Sequence, residues 1–142
     1  VLLSGVVVLL LCACNDKSAS SRLISLQNQS FVIQKLELAG KTLTPSALQD
    51  ENSSISFENT SYNGFAACNN FFGSFSAKNG KIHFNADGGA TKMMCPPDIM
   101  AFEDDLLANL YGEFTLDKEN ESIILQSNKI KIYLVPKNRV CK

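Results

Sequence analysis

The chain has 142 residues, of which 45% are hydrophobic and 19% charged, a composition typical of one packed globular domain. Its 13 basic and 14 acidic residues leave a formal net charge of −1. This balance excludes the strongly basic surface with which proteins bind nucleic acid, and it provides no polybasic patch for anionic lipid. We therefore expect partners to be recognised by shape or by local chemistry.

The first residues indicate export. Val1 to Leu11 is apolar apart from Ser4 and Gly5, and it is far shorter than the roughly 20 residues that a membrane-spanning helix needs. Such a run is typical of the hydrophobic region of a signal peptide. Because no initiator methionine or basic segment precedes it, we expect the sequence to begin inside the gene product.

The run ends in Leu11-Cys12-Ala13-Cys14, which resembles a bacterial lipobox. This pattern predicts a lipoprotein signal peptide at residues 1–13 and lipid attachment at Cys14. Cys12 is a poor lipidation site, because Leu11 would then stand where the signal peptidase requires a small side chain. The alternatives are a secretory signal cleaved near Ala13 and a short buried strand in a cytosolic protein.

Residues 14–28 are predicted to form a flexible tether, since Asn15 to Arg22 is small and polar. Acyl chains on Cys14 would each contribute about 0.8 kcal/mol per buried methylene and would hold the protein on a membrane. Asn15, rather than aspartate, follows the lipidated cysteine, which favours the outer membrane over retention in the inner one. We expect a bacterial cell-envelope protein that is lipid-anchored on the periplasmic side.

Alternating apolar residues predict strands in the first half of the folded part. Phe31 to Gly40 is predicted to be the first strand, with Val32, Leu36 and Leu38 on one face. Two further strands are predicted around Ile55 and Phe57 and over Tyr62 to Ala67.

A hairpin follows, because Asn79-Gly80 is the residue pair that a two-residue type I′ turn requires. This loop fixes the register. A slip by one residue would bury two lysines, which makes any other register unfavourable. Phe75, Ala77, Ile82 and Phe84 then share an apolar face, while His83 lies on the opposite face. The predicted pairs are Lys78 with Lys81, Ala77 with Ile82, Ser76 with His83 and Phe75 with Phe84.

One helix is predicted after the loop that contains Asp87-Gly88-Gly89. Pro96-Pro97-Asp98 is typical of a helix start, and Gly112 is expected to end the helix. Its buried stripe is predicted to comprise Ile99, Phe102 or Glu103, Leu106 and Leu110, with Leu107 beside them. Three strands are predicted after it, over Glu113 to Leu116, Ser122 to Ser127 and Lys129 to Val135.

The order of strands, one helix and strands predicts an α+β fold. Short connections favour a curled antiparallel sheet, forming a partly open barrel, packed around a single helix, because parallel strands would need several crossover helices. We place this domain at residues 29–137, followed by a C-terminal tail at 138–142.

Two motifs and part of the helix resemble the META domain of HslJ-type heat-shock lipoproteins. The resemblance covers about Phe31 to Val135. Lys92 stands where arginine is common in the family, and lysine cannot reproduce the two-pronged contact of a guanidinium group. Phe31 stands where the family often has tryptophan. The matching residues are Gly64, Cys68, Asn69, Phe71, Gly73 and Phe75, then Ala90-Thr91-Lys92-Met93-Met94-Cys95-Pro96, then Glu103 and Leu110.

The resemblance implies a small envelope module associated with heat shock and novobiocin resistance, without an established enzymatic activity or cofactor. The family fold is similar to the cracked β-barrels of secretin pilot lipoproteins, which favours binding. We therefore expect a non-enzymatic protein that contacts another envelope protein. The alternative is a carrier that holds a lipid or a small hydrophobic ligand inside the curled sheet.

The cysteines predict one disulfide bond. If Cys12 is removed with the signal peptide and Cys14 is acylated, Cys68, Cys95 and Cys141 remain. We predict that Cys68 pairs with Cys95, because each lies at the edge of a turn-rich motif, and the alternative is two unoxidised thiols in contact. Cys141 can cross-link two molecules, remain reduced or pair with either motif cysteine.

No catalytic or metal-binding residue is predicted. A cysteine nucleophile needs an imidazole within hydrogen-bond reach, and the hairpin register places His83 away from the core. A zinc site built from Cys68, His83 and Cys95 lacks the close ligand pairs typical of such sites. The acidic run from Glu103 to Asp105 is interpreted as a solvated helix face rather than a cation site. Alternation predicts that Phe72 lies on the other face of its strand from Phe71 and Phe75. It is then exposed, covered by the helix side of the curled sheet, or part of a binding surface.

Overall fold

The computed structural model describes residues 26–45 and 53–137. The predicted signal peptide, Cys14, most of the predicted tether, and the C-terminal tail with Cys141 lie outside the described residues. The strands are β1 Gln29–Leu38, β2 Lys41–Leu43, β3 Ser54–Glu58, β4 Ser61–Phe65, β5 Asn70–Lys78, β6 Lys81–Phe84, β7 Gly89–Ala90, β8 Gly112–Glu119, β9 Ser122–Gln126 and β10 Ile130–Pro136, and the helix α1 is Pro97–Asn109.

The strands form one curled antiparallel sheet. Its order is β10-β9-β8-β6-β5-β4-β3-β1, and β1 also pairs with β10, so the strands form a ring. The short strands β2 and β7 are additional partners of β1 and β5. The predicted fold class is confirmed: it is α+β, with a curled sheet and one helix among the described residues.

The ring is not a regular barrel, because β5 changes its partner along one edge. Phe71 and Phe72 pair with β7, whereas Phe75 to Lys78 pair with β6. The other edge of β5 pairs with β4 from Asn70 to Ser74. The sheet therefore divides beside β5, where β6 ends and β7 begins.

The hairpin register is confirmed residue by residue, from Lys78 opposite Lys81 to Phe75 opposite Phe84. Asn79 and Gly80 have φ values of 54° and 75°, the left-handed conformation that a type I′ turn requires at both positions. His83 is exposed, as this register predicts. Ala77 belongs to the apolar face by alternation but is itself exposed.

The predicted inward face of β1 is partly wrong. Phe31 and Ile33 are buried and the next buried residue is Leu36, while Val32 and Leu38 are only partly buried. The pairing with β10 shifts between Ile33 and Lys35, which is a β-bulge. A bulge adds one residue to a strand, so the side chains beyond it change faces and strict alternation fails.

The core is built largely from aromatic rings. Phe57 packs against Phe31, Phe75 and Phe84, and Phe84 also contacts Phe114 edge-to-face at 5.2 Å between ring centroids. The helix adds Ile99, Phe102 and Leu106, all buried. Leu26 is also buried, so the packed domain includes a residue from the predicted tether.

Helix α1 begins with proline in its first turn, as predicted, and ends at Asn109. Gly112, which was expected to end it, is instead the first residue of β8. The prediction that Glu103 lies on a solvated face is wrong, since its side chain is 1% exposed. Asp104 is exposed, and Asp105 accepts a hydrogen bond from Lys41 at 2.8 Å.

In the part of the chain that the structure describes, no helix has the length and apolar character needed to cross a membrane.

Candidate functional site

The side-chain amide of Asn69 connects the two predicted motifs. Its Oδ1 accepts hydrogen bonds from the Met93 amide at 2.6 Å and from the Thr91 hydroxyl at 3.1 Å. Its Nδ2 donates to the Met93 carbonyl at 3.2 Å and to Glu103 Oε2 at 2.8 Å. One buried side chain thus holds the loop after β4, the segment before the helix and the helix itself.

The buried carboxylate of Glu103 binds the backbone of the loop after β4. Its Oε1 accepts hydrogen bonds from the amides of Ala67, Cys68 and Asn69. A carboxylate is costly to bury unless hydrogen bonds replace its water, and both oxygens have such partners here. We call Asn69, Thr91 and Glu103, with the backbone that they bind, the Asn69–Glu103 cluster.

The family motif in the sequence pointed to Asn69 and Thr91, whereas the role of Glu103 was not predicted. The signal for it was spacing: Glu103 lies four residues after Ile99 and three before Leu106, the separations that place helical residues on one face. An acid on a buried helical stripe indicates a buried acceptor with donors opposite it.

The two motif cysteines lie at disulfide distance, with their Cα atoms 6.4 Å apart. This is the geometry that the predicted pairing requires. Next to them, the Thr91 amide donates to the Asn70 carbonyl at 2.9 Å, and the Asn70 amide donates to the Thr91 hydroxyl at 3.0 Å. The cysteine pair and these hydrogen bonds hold residues 91–95 against the start of β5.

The motif glycines make room for aromatic rings on the neighbouring strand. Gly64 is paired with Phe71, and Gly73 with Tyr62. A Cβ added to Gly64 would lie 2.5 Å from Phe71 Cζ, and one added to Gly73 would lie 2.6 Å from Tyr62 Cζ. Real Cβ atoms do not approach so closely, so a side chain at either position would overlap the ring that covers it. At Gly64 the added Cβ would also overlap the Ser54 carbonyl oxygen.

Lys92, unlike Asn69 and the motif glycines, points outward rather than into this packing. Its side chain is exposed, and it makes no ion pair within the described residues. Cys68, Asn69, Thr91 and Cys95 are brought together with Glu103, whereas Lys92 lines a neighbouring cleft.

The cleft has a volume of about 500 Å³ and is open to solvent. It lies where the sheet divides, between β7 with the residues before it and the C-terminal end of α1. We call it the β7 cleft. It is lined by Tyr62, Phe71, Phe72, Asn85, Ala86, Gly88 to Ala90, Lys92, Leu107, Leu110 and Tyr111.

Large hydrophobic side chains are exposed in and beside this cleft. Phe72 is 55% exposed and Tyr111 48% exposed, and both line it. Met93 and Met94, which follow Lys92 directly, are 56% and 99% exposed. We call Phe72, Met93, Met94 and Tyr111 the exposed apolar patch. Aromatic and methionine side chains are enriched at protein interfaces, and methionine adapts to irregular surfaces.

Two titrating groups lie near the cleft. Burial raises the pKa of Tyr62 above its ordinary value, and the nearby Asp87 carboxylate raises it further. The pKa of Asp87 is lowered, chiefly because the Ser74 hydroxyl donates to its carboxylate at 2.6 Å.

The side chains that line the cleft include few polar groups. The described residues that line it include no carboxylate, thiol or imidazole, and their polar groups are two phenols, an amide and the Lys92 ammonium. Likewise, residues 26–45 and 53–137 contain no cluster of three or more His, Cys, Asp or Glu side chains that would hold a metal ion.

Comparison with known proteins identifies the family. Two solved structures are similar. An NMR structure of a protein from Burkholderia xenovorans has a TM-score of 0.69 and 20% identity, and the match covers 89% of this chain and 93% of that one. A second protein NMR structure has a TM-score of 0.64 and 20% identity, and the match covers 83% of this chain and 97% of that one. At this identity they show the fold alone. The comparison with curated proteins gave no match. The family model of the META domain matches residues 24–138, and the chain therefore belongs to the META domain family.

Proposed function

We propose that this protein is a non-enzymatic, lipid-anchored module of the bacterial cell envelope that contacts another envelope protein through the exposed apolar patch. One observation carries the proposal: Phe72 and Tyr111 are exposed in the cleft and Met93 and Met94 are exposed directly after Lys92, while the buried hydrophobic residues form one core cluster. Exposed apolar clusters on a well-packed domain mark interaction surfaces.

The proposal also explains how the motif residues are used. The Asn69–Glu103 cluster fixes residues 91–95, from which Lys92, Met93 and Met94 project into solvent. A rigid segment loses little conformational freedom when a partner binds it, which favours affinity. In this interpretation the polar side chains of the motifs support the adjacent surface and do not themselves react.

Lipid attachment at Cys14 would hold the exposed apolar patch close to the membrane on its periplasmic side. Asn15, the residue after Cys14, favours the outer membrane. Metabolic labelling with an alkyne fatty acid tests the anchor. A Cys14→Ser variant should lose the label, whereas Cys12→Ser should keep it. Labelling that survives in Cys14→Ser would contradict attachment at that residue.

The carrier alternative is favoured only by the volume of the β7 cleft. A carrier of the kind expected from the sequence needs space inside the curled sheet, and the inward positions hold packed aromatic rings such as Phe57, Phe84 and Phe114. Native mass spectrometry of the purified protein distinguishes the two, since a carrier should retain a lipid or other hydrophobic ligand.

Complementation tests the interaction hypothesis and its link to stress. A strain that lacks the gene should grow poorly at elevated temperature or in novobiocin, and the wild-type gene should restore growth. The triple variant Phe72→Ser, Met94→Ser, Tyr111→Ser should fold but fail to restore it, because the patch is removed. The matched control, Ser76→Ala with His83→Ser, changes exposed positions on the hairpin. Full complementation by the patch variant would overturn the proposal.

A further inference from the structure

We propose that the β7 cleft binds an extended segment of the partner protein, which pairs with the free edge of β7 and places a large apolar side chain next to an acidic residue in the cleft. This inference rests on the proposed function, and it specifies the chemistry of the partner.

The first support is the backbone of β7. Asn70 and Thr91 form a hydrogen-bonded pair, since the Thr91 amide donates to the Asn70 carbonyl at 2.9 Å. Hydrogen-bonded and non-hydrogen-bonded pairs alternate along an antiparallel ladder. The next pair, Phe71 with Ala90, is therefore of the non-hydrogen-bonded kind, and the amide and carbonyl of Ala90 point away from β5.

No other strand of the described chain occupies that outer edge. β7 pairs with β5 alone, and Gly88 to Ala90 line the cleft. Backbone groups at an open strand edge are a template for an added strand, and main-chain hydrogen bonds of this kind supply affinity in many peptide-binding domains. Because β7 replaces β6 beside Phe71 and Phe72, a strand added to the outer edge of β7 would lie in line with β8, which pairs with the far edge of β6.

The second support is the character of the walls. Phe72 and Tyr111 offer aromatic faces, and Leu107 and Leu110 offer aliphatic surface at the end of α1. A cleft of about 500 Å³ falls in the usual range for binding pockets. These walls fit a large apolar side chain of the incoming segment.

The third support is charge. Lys92 is the only charged residue among the described residues that line the cleft, and no acidic side chain of the described chain pairs with it. Asp87, near Tyr62, is already bound by the Ser74 hydroxyl and amide. An aspartate, a glutamate or a terminal carboxylate beside the apolar side chain of the segment would pair with the Lys92 ammonium.

Selection from a display library of short random peptides tests the inference with the folded protein as bait. Enriched peptides should carry a large apolar residue next to an acidic one. In fluorescence anisotropy, Lys92→Glu should weaken their binding at least about fivefold, because an attraction becomes a repulsion. Lys78→Glu, the same charge change on the exposed hairpin, should leave binding unchanged.

Backbone pairing gives a second readout. Binding should shift the Ala90 amide resonance in ¹⁵N-labelled protein, and N-methylation of one peptide position should weaken binding about tenfold or more, while methylation of its neighbour has little effect. Failure to enrich any peptide, equal effects of Lys92→Glu and Lys78→Glu, or insensitivity to N-methylation would each overturn the inference. If a partner still cross-links at the exposed apolar patch in cells, the proposed function stands and only the strand-pairing inference falls.

Discussion

The side chain of Asn69 makes hydrogen bonds to two other parts of the chain, the segment with Thr91 and Met93 and the helix through Glu103. Its position was predictable from the motif, because Cys68-Asn69 and Thr91 belong to one family pattern. The spacing of Glu103 from Ile99 and Leu106 favours burial, whereas its neighbours Asp104 and Asp105 are typical of a solvated face, so the two sequence signals oppose each other. The hydrogen-bond partners of Glu103 were not predictable, because they depend on which distant segment the fold places opposite the helix.

Replacing the Glu103 carboxylate tests this cluster. Glu103→Gln should lower the free energy of unfolding by about 1–3 kcal/mol, because its amide nitrogen would face donors where an acceptor is required. Chemical denaturation measures the change. The control Asp104→Asn alters the exposed neighbouring acid and should stay within about 0.5 kcal/mol of the wild type. Equal stabilities of the two variants would show that the hydrogen bonds of Glu103 contribute little.

The hydrogen bonds from Ser74 to Asp87 predict a pH dependence of stability. They lower the pKa of Asp87 below its ordinary value of 3.8, so the folded state binds this proton less readily than the unfolded state. The stabilisation is therefore present above that ordinary value and is lost as the pH falls through the lower pKa of the folded state.

Asp87→Asn removes this titration, so its stability deficit relative to the wild type should be largest near neutral pH and shrink in acid. Ser74→Ala removes the hydroxyl donor, so this variant's own stability deficit should also be largest near neutral pH and shrink in acid. Thermal unfolding across the acid range measures both. A deficit that grows as the pH falls would contradict the assigned cause.

At the scale of elements, local chemistry decided which predictions succeeded. The hairpin of β5 and β6 was predictable in full because Asn79-Gly80 determines the turn and the turn determines the register. The inward face of β1 was not, because the bulge between Ile33 and Lys35 is imposed by pairing with β10 at the other end of the chain. The strands β2 and β7 are too short to leave a recognisable pattern.

The pairing of glycines with aromatic rings across β4 and β5 gives a prediction at this scale. Gly73→Ala should destabilise the protein by about 1–3 kcal/mol, because the new methyl group would overlap the Tyr62 ring and force it to move. Ser76→Ala, at an exposed position of the same strand, is the control. Denaturant midpoints compare the two, and a Gly73→Ala variant as stable as the control would show that the ring moves at no cost.

At the scale of the whole molecule, the order of elements was sufficient to predict a curled antiparallel sheet with one helix. The closure of the ring by β1 and β10 and the division of the sheet beside β5 were not predictable, because both arise from pairing between distant segments. The β7 cleft forms at that division. The candidate binding site thus follows from an irregularity of the ring, although its residues Phe72 and Lys92 were recognised in the sequence.

The cysteine pair joins positions 27 residues apart, so its oxidation should stabilise the whole domain. In the chain-entropy model the bond contributes about 3–4 kcal/mol. In a Cys141→Ser background, the double variant with Cys68→Ser and Cys95→Ser should unfold at a correspondingly lower denaturant concentration than the oxidised protein. Alkylation of the unreduced protein followed by mass measurement checks the bond, and modification of both cysteines without reductant would contradict it.

Photo-cross-linking in intact cells from position 94 tests most directly whether the exposed apolar patch is the interaction surface. A photoreactive amino acid in place of Met94 should form a covalent adduct with one specific envelope protein, and the adduct should disappear when Phe72→Ser and Tyr111→Ser are added. The same amino acid in place of His83, exposed on the hairpin, should give no such adduct. If positions 94 and 83 yield the same products, or neither yields a specific adduct, the exposed apolar patch is not the interaction surface.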